Sequence, residues 1–99
     1  MAAFFSYIDE NYTLPVTLDM AADAVYLSTA QFMRVIKAAT GMTFKSYLNL
    51  YRINQSIKLL RNGYTVGQAA ENCGFQNVNT FIRVFKQVKK CTPSFYKIQ

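Results

Sequence analysis

The chain contains no histidine and only two cysteines among its 99 residues. Histidine and cysteine are common ligands of zinc, and histidine is the side chain that most often transfers protons in enzymes. The composition therefore argues against a metal site, and no cofactor is expected. No acid–base pair or activated nucleophile is apparent either, which makes an enzyme the weakest interpretation. Because the chain shows no export signal, we expect both cysteines to be free thiols.

Long apolar stretches are also missing. Charged or amide side chains interrupt every apolar run well short of the roughly 20 residues that cross a bilayer. The first residues lack the basic start of a secretory signal, and Asp9 and Glu10 interrupt their apolar run. We therefore expect a cytoplasmic protein. A hydrophobic fraction of 52% argues against disorder, and the length suits one domain.

Acidic residues are scarce and unevenly placed. Five acids stand against eleven bases, for a net charge of +6. From Ala24 to Ala70 there are six basic residues and no acid, and from Asn72 to the end there are five and none. Such runs usually form an ordinary solvated surface. Here the bases concentrate on three predicted helices, a pattern typical of proteins that bind a phosphate-lined partner.

The chain repeats itself. The segment 32–37, Phe-Met-Arg-Val-Ile-Lys, matches 81–86, Phe-Ile-Arg-Val-Phe-Lys, at an offset of 49 residues. Upstream, Ala21-Ala22 matches Ala69-Ala70 at an offset of 48, and downstream Tyr47 matches Tyr96 at 49. Each copy reads as a short helix, a tight turn and a second, basic helix, which is the helix-turn-helix arrangement.

The periodicity of apolar residues predicts an all-α chain. We expect helices at 2–12, after Thr17, at 29–40, from Thr43 to Arg61, at 66–72 and at 78–90, with a last turn after Thr92-Pro93. Thr17, Ser28, Thr43 and Thr65 are the expected N-caps, and Gly41 the expected end of the third helix. The predicted core positions of the second helix of each repeat are Phe32, Val35, Ile36 and Ala39, and Phe81, Val84, Phe85 and Val88. The long helix should expose Lys45, Arg52, Lys58 and Arg61, and its length of about 28 Å is close to one DNA turn of about 34 Å.

These residues together resemble the DNA-binding domain of AraC/XylS-type bacterial transcription regulators. The most specific part is the combination of Gly74-Phe75, Phe85-Lys86 and Thr92-Pro93 with Tyr96. The resemblance covers residues 1–99 and implies seven helices. Two helix-turn-helix units, at about 17–41 and 65–90, are then joined by a linker helix at about 43–61. The chain departs from the family at Lys90, where a helix-ending glycine is usual, and at Ser56, where alanine is usual.

The resemblance also implies which residues contact the bases of DNA. Base contacts are expected from Ala30, Met33, Arg34, Val78, Asn79, Ile82 and Arg83. Phosphate contacts, which position without specifying, are expected from Ser28, Thr29, Lys37, Asn77, Thr80 and Lys86. For the two arginines the alternatives are a phosphate contact or an internal salt bridge, for Asn79 a capping role, and for the apolar positions burial in the core.

Partners follow from the same resemblance: double-stranded DNA, RNA polymerase in transcription activation, and a sensing or dimerising domain ahead of this one. The main alternative is a basic helical module that binds proteins, or nucleic acid without sequence preference. Membrane binding is disfavoured because the aromatic residues are expected to pack against one another. Cys91, beside basic residues, is either a thiol sensor or an incidental thiol.

Overall fold

The computed structural model describes residues 2–97, and this range contains seven helices and no strand. The helices are α1 (Ala2–Asn11), α2 (Leu18–Ala24), α3 (Thr29–Thr40), α4 (Phe44–Arg61), α5 (Val66–Asn72), α6 (Val78–Lys89) and α7 (Ser94–Lys97). The predicted all-α fold with seven helices is confirmed. None of these helices is long and apolar enough to span a bilayer.

Side-chain caps fix where the helices begin. The Thr17 hydroxyl accepts a hydrogen bond from the amide of Met20 at the start of α2, and the Thr43 hydroxyl accepts one from Ser46 in the first turn of α4. Ser28 and Thr65 form complete capping boxes, in which the side-chain oxygen of the glutamine three residues later accepts a hydrogen bond from the backbone amide of the cap residue. All four predicted N-caps are confirmed.

The chain divides into two compact units, Met1–Leu48 and Asn49–Gln99. The core of the first unit is built around Phe4, whose ring lies 5.5 Å from that of Phe32 and 6.4 Å from that of Phe44. In the second unit Phe81 lies between Phe75 and Phe85, with ring centroids 5.3 and 5.7 Å away. Such aromatic pairs add about 0.5–1.5 kcal/mol beyond the area they bury.

In each unit a turn with the same hydrogen bond leads into the longer helix. The amide of Leu27 donates to the carbonyl of Ala22, and the amide of Phe75 donates to that of Ala70, both at 3.0 Å. The residue before each donor has a left-handed backbone: φ is +61° at Tyr26 and +100° at Gly74. Only the second copy therefore has the residue that takes this conformation without cost.

At the ends of α3 and α6, it is the first copy that has glycine in the left-handed position. Gly41 closes α3 with φ +73°, and Lys90 closes α6 with φ +63°. The amide of each donates to the carbonyl of the lysine four residues earlier, Lys37 or Lys86, at 2.9 Å. Lys90 thus takes the geometry of its glycine counterpart and carries the backbone strain of an L-residue there.

Several burial predictions were wrong. Val35 and Ala39 are exposed, Val35 to 37%, so the buried stripe of α3 consists of Phe32 and Ile36 alone. Ser56 is fully buried, and its hydroxyl donates to the carbonyl of Ile53 at 2.6 Å, which satisfies the one polar group of this side chain. Its small volume explains how it replaces alanine.

Arg52 was also predicted incorrectly, as a solvated residue. It is half-buried, and its guanidinium lies over the ring of Phe75 at 5.9 Å. Burial lowers the pKa of Arg52. Arg61 makes a similar contact, 5.5 Å from the ring of Tyr96. These two bases therefore support the packing of the second unit.

Candidate nucleic-acid interface

Helix α3 presents a basic and partly apolar face to solvent. Phe32 and Ile36 are buried on one side, while the predicted base-contact residues Ala30, Met33 and Arg34 are exposed on the other. Lys37 is exposed on the same side, one turn beyond Met33. Met33 is 50% exposed, so the core-burial alternative fails for this side chain.

Helix α6 presents a matching face. Phe81, Val84 and Phe85 are buried, whereas Val78, Asn79, Arg83 and Lys86 are exposed and Ile82 is half-buried. Val78 is 40% exposed although it is apolar. Core packing therefore does not account for the apolar residue at the start of this helix.

The two faces correspond residue by residue through the repeat. Arg34 corresponds to Arg83 and Lys37 to Lys86, so each helix carries the same pair of cations at the same positions. No carboxylate within residues 2–97 pairs with these four side chains, which rules out an internal salt bridge for either arginine there. All four side chains are exposed to solvent.

The remaining positions of the two faces differ. Ala30 in α3 corresponds to Asn79 in α6, and Met33 corresponds to Ile82. An amide can form two hydrogen bonds with one base edge, whereas alanine can make only apolar contact. The two helices thus present the same cations with different side chains beside them.

The polar residues at the two helix starts are largely occupied by capping. The Ser28 hydroxyl accepts a hydrogen bond from the backbone amide of Gln31 and donates one to the side-chain oxygen of the same residue. The side-chain oxygen of Asn77 accepts from the amides of Asn79 and Thr80, at 2.7 and 3.2 Å. Asn77 is therefore the N-cap of α6. Asn79 takes part in this cap only through its backbone amide, so the cap does not use its side chain. Thr29 and Thr80, the other predicted phosphate contacts at these helix starts, are half-buried.

Both cysteines are free, and they lie in different surroundings. Cys73 is fully buried at the end of α5, with its sulfur 3.6 Å from the carbonyl oxygen of Ala70. Burial raises the pKa of the Cys73 thiol to about 12, so this cysteine is protonated and inert at neutral pH. Cys91 is half-buried just after Lys90.

The sequence of this chain is similar to those of known helix-turn-helix proteins. A family model described as a helix-turn-helix domain matches residues 21–99. The uncharacterised HTH-type transcriptional regulator YijO of Escherichia coli is 33% identical over 99 residues, which are 98% of this chain and 35% of YijO. The chain therefore spans about a third of the length of this curated relative.

Two solved structures have the same fold. An AraC-type transcriptional regulator from Chromobacterium violaceum superposes with a TM-score of 0.92 at 24% identity, over 99% of this chain and 88% of that one. The DNA-binding domain of the global transcriptional factor AdpA, solved with a target DNA, superposes with a TM-score of 0.91 at 23% identity, over 98% and 88% of the two chains. Since the family model covers most of the sequence, the chain belongs to the AraC-type family of helix-turn-helix DNA-binding domains of transcriptional regulators.

Proposed function

We propose that this domain binds double-stranded DNA in a sequence-specific manner by inserting α3 and α6 into successive major grooves, and that it thereby activates transcription. The observation that carries the proposal is the pair of repeat-equivalent helix faces, each with an arginine and a lysine exposed opposite buried phenylalanines. The target DNA bound by the AdpA domain, which shares the fold, supports DNA as the partner. The segments 17–41 and 65–90 act as the two helix-turn-helix units, and 43–61 links them.

Arg34 and Arg83 are proposed to read guanine. An arginine forms two hydrogen bonds with O6 and N7 of guanine, and this pairing discriminates against other bases by about 1–3 kcal/mol. The absence of a carboxylate partner for either guanidinium within the described residues supports this role. Each arginine would define one short block of the binding site.

The neighbouring residues are proposed to make the two blocks different. Asn79 is suited to adenine, which offers one donor and one acceptor in the major groove. Ala30, Met33, Val78 and Ile82 are suited to the methyl group of thymine. Because α3 and α6 differ at these positions, we expect a site whose two halves are unlike in sequence.

Phosphate contacts are proposed to fix the orientation of each helix on the duplex. Lys37 and Lys86 are exposed on the same face as the arginines and are the main candidates. Ser28, Thr29, Asn77 and Thr80 lie at the helix starts, where amides and polar side chains commonly bind backbone phosphates. Capping occupies the Ser28 hydroxyl and the Asn77 side-chain oxygen. We therefore expect Ser28 and Asn77 to contribute less to phosphate binding than the two lysines do.

Transcription activation through contact with RNA polymerase belongs to the proposal as well. YijO is about three times as long as this chain, given that the chain spans 35% of it. We propose that a sensing or dimerising domain accompanies this one in the whole protein. That domain would supply the response to a signal.

Two variants of α6 test the base-reading role. Arg83→Ala removes a base contact and should lower the preference for the selected site over scrambled DNA by about 1–3 kcal/mol, that is, roughly five- to 150-fold. Lys86→Ala removes a phosphate contact and should weaken binding to all sequences alike, with a salt slope reduced by about 1. Fluorescence anisotropy over a salt series measures both effects.

Equal losses on specific and scrambled DNA for Arg83→Ala would refute base reading by this residue. Binding that is steeply salt-dependent but has no preference in the unmodified protein would favour the non-specific alternative. Far-UV circular dichroism is the folding control for both variants, and both replaced side chains are exposed.

A further inference from the structure

A groove of about 700 Å³ lies beside α3 in the first unit. Its apolar surface includes Leu18, Ala38 and Phe44, and three cations surround it, Arg34, Lys37 and Lys45. Lys45 belongs to the first turn of α4, so the groove joins the exposed face of α3 to a second basic element. Lys45 was expected only to be solvated, and no role was expected for it.

The charge around this groove is uncompensated. Its lining includes no acidic residue, and in the described chain none of the three cations has an ion-pair partner. Three like charges around one groove repel each other, and a polyanion lying along it would relieve that repulsion. An apolar surface bordered by cations also suits a sugar–phosphate strand, whose deoxyribose carbons and phosphates alternate.

The groove is continuous with the proposed base-reading face. Met33 and Arg34 line it and are also proposed base contacts, and Lys37 is a proposed phosphate contact. When α3 lies in a major groove, one strand of the duplex borders that helix. We infer that this strand occupies the groove and that Lys45 binds one of its phosphates, which makes Lys45 a positioning residue for α3.

This inference rests on the proposed function and extends it to a residue outside the two reading helices. The repeat places Ser94 at the position equivalent to Lys45. The second unit therefore has no cation at this repeat position, and the contact is specific to the first half-site. A lysine reaches such a phosphate as a point charge, so its contribution should appear mainly in salt dependence.

The test compares Lys45→Ala with Lys58→Ala on a selected duplex. Both lysines are exposed in α4, and their spacing of 13 residues places them on different sides of the helix. Lys45→Ala should lower the slope of log affinity against log salt by about 1, whereas Lys58→Ala should leave the slope unchanged. Phosphate ethylation interference should reveal one phosphate, in the half-site read by Arg34, whose ethylation weakens binding of the unmodified protein. Ethylation of the same phosphate should not weaken binding of Lys45→Ala.

An unchanged slope and an unchanged interference pattern for Lys45→Ala, on a duplex that the unmodified protein binds specifically, would overturn this inference alone. Failure of the unmodified protein to bind any duplex would overturn the proposed function together with it. Polyglutamate tests whether the groove beside α3 instead binds an acidic protein. If it binds through Lys45 without competing with DNA, the groove belongs to an acidic protein partner and the inference is wrong.

Discussion

Replacement of Lys90 by glycine should remove backbone strain, because Lys90 ends α6 in a left-handed conformation with φ +63°. An L-residue pays about 1–2 kcal/mol for this region of the backbone. Glycine avoids that cost but loses about 0.5–1 kcal/mol through the greater freedom of the unfolded chain. We therefore expect a net gain of about 0.5–1 kcal/mol for the backbone effect.

The charge of Lys90 must be separated from its backbone. A cation at a helix C-terminus contributes about 0.3–1 kcal/mol through the helix dipole, and Lys90→Gly loses this contribution. Lys90→Ala loses the same charge and keeps the strain. The difference between Lys90→Gly and Lys90→Ala therefore isolates the backbone term, and glycine should be the more stable by about 0.5–1 kcal/mol.

Gly41 offers the reciprocal experiment in the first unit. It has φ +73°, and a Cβ atom added there would meet nothing within 4 Å, so Gly41→Ala adds backbone strain without a clash. We expect this variant to be less stable by about 0.5–1 kcal/mol. Urea unfolding followed by far-UV circular dichroism measures both changes. Equal stability of Lys90→Gly and Lys90→Ala would refute the reasoning, as would an unaffected Gly41→Ala.

Two further predictions concern the core of the second unit. Burial raises the pKa of Cys73 from 9.0 to about 12. The unfolded chain therefore releases the thiol proton at a lower pH than the folded chain does. The contribution of Cys73 to the free energy of unfolding is complete below about pH 9 and is lost as the pH rises from 9 towards 12. The urea stability of the unmodified protein should therefore fall more steeply above pH 9 than that of Cys73→Ala, and parallel pH profiles would contradict the shift. Arg52→Met removes the guanidinium from above Phe75 while keeping an unbranched stem, and should cost about 0.5–2 kcal/mol. Lys58→Met on the same helix should change stability by less than about 0.5 kcal/mol, and equal losses would show that the Arg52 contact contributes nothing.

The helix boundaries could be predicted because short-range chemistry determines them. Ser28 and Thr65 are each followed three residues later by glutamine, and a capping box needs only this local spacing. The exposed positions of α3 and α6 followed from helical periodicity and from the repeat, which placed Arg34 and Arg83 in equivalent environments. Each of these signals lies within a few residues or in a direct sequence match.

Burial beyond the two phenylalanine clusters was less predictable. Periodicity shows which side of α3 faces inward but not how wide the buried stripe is, so Val35 and Ala39 were assigned to the core incorrectly. The position of Arg52 over Phe75 depends on which helix packs against α4, which a local pattern does not contain. The groove beside Lys45 likewise depends on the packing of α4 against α3 within the first unit.

The left-handed residue Tyr26 illustrates a signal that was present but weak. A tyrosine is not a turn residue, and its side chain is 94% exposed, so neither composition nor packing marks the position. The offset of 48 residues, however, aligns Tyr26 with Gly74. Alignment of the two copies through the turn would have predicted its positive φ.

The measurement that tests the central claim most directly is selection of binding sites from random duplex DNA by the purified domain. The proposal predicts a split motif of two unlike short blocks, separated by about one helical turn of roughly 10 base pairs. Arg34→Ala should relax one block, and Arg83→Ala should relax the other. A selection that yields no enriched sequence, or a motif unaffected by either arginine, would contradict recognition by the two helices.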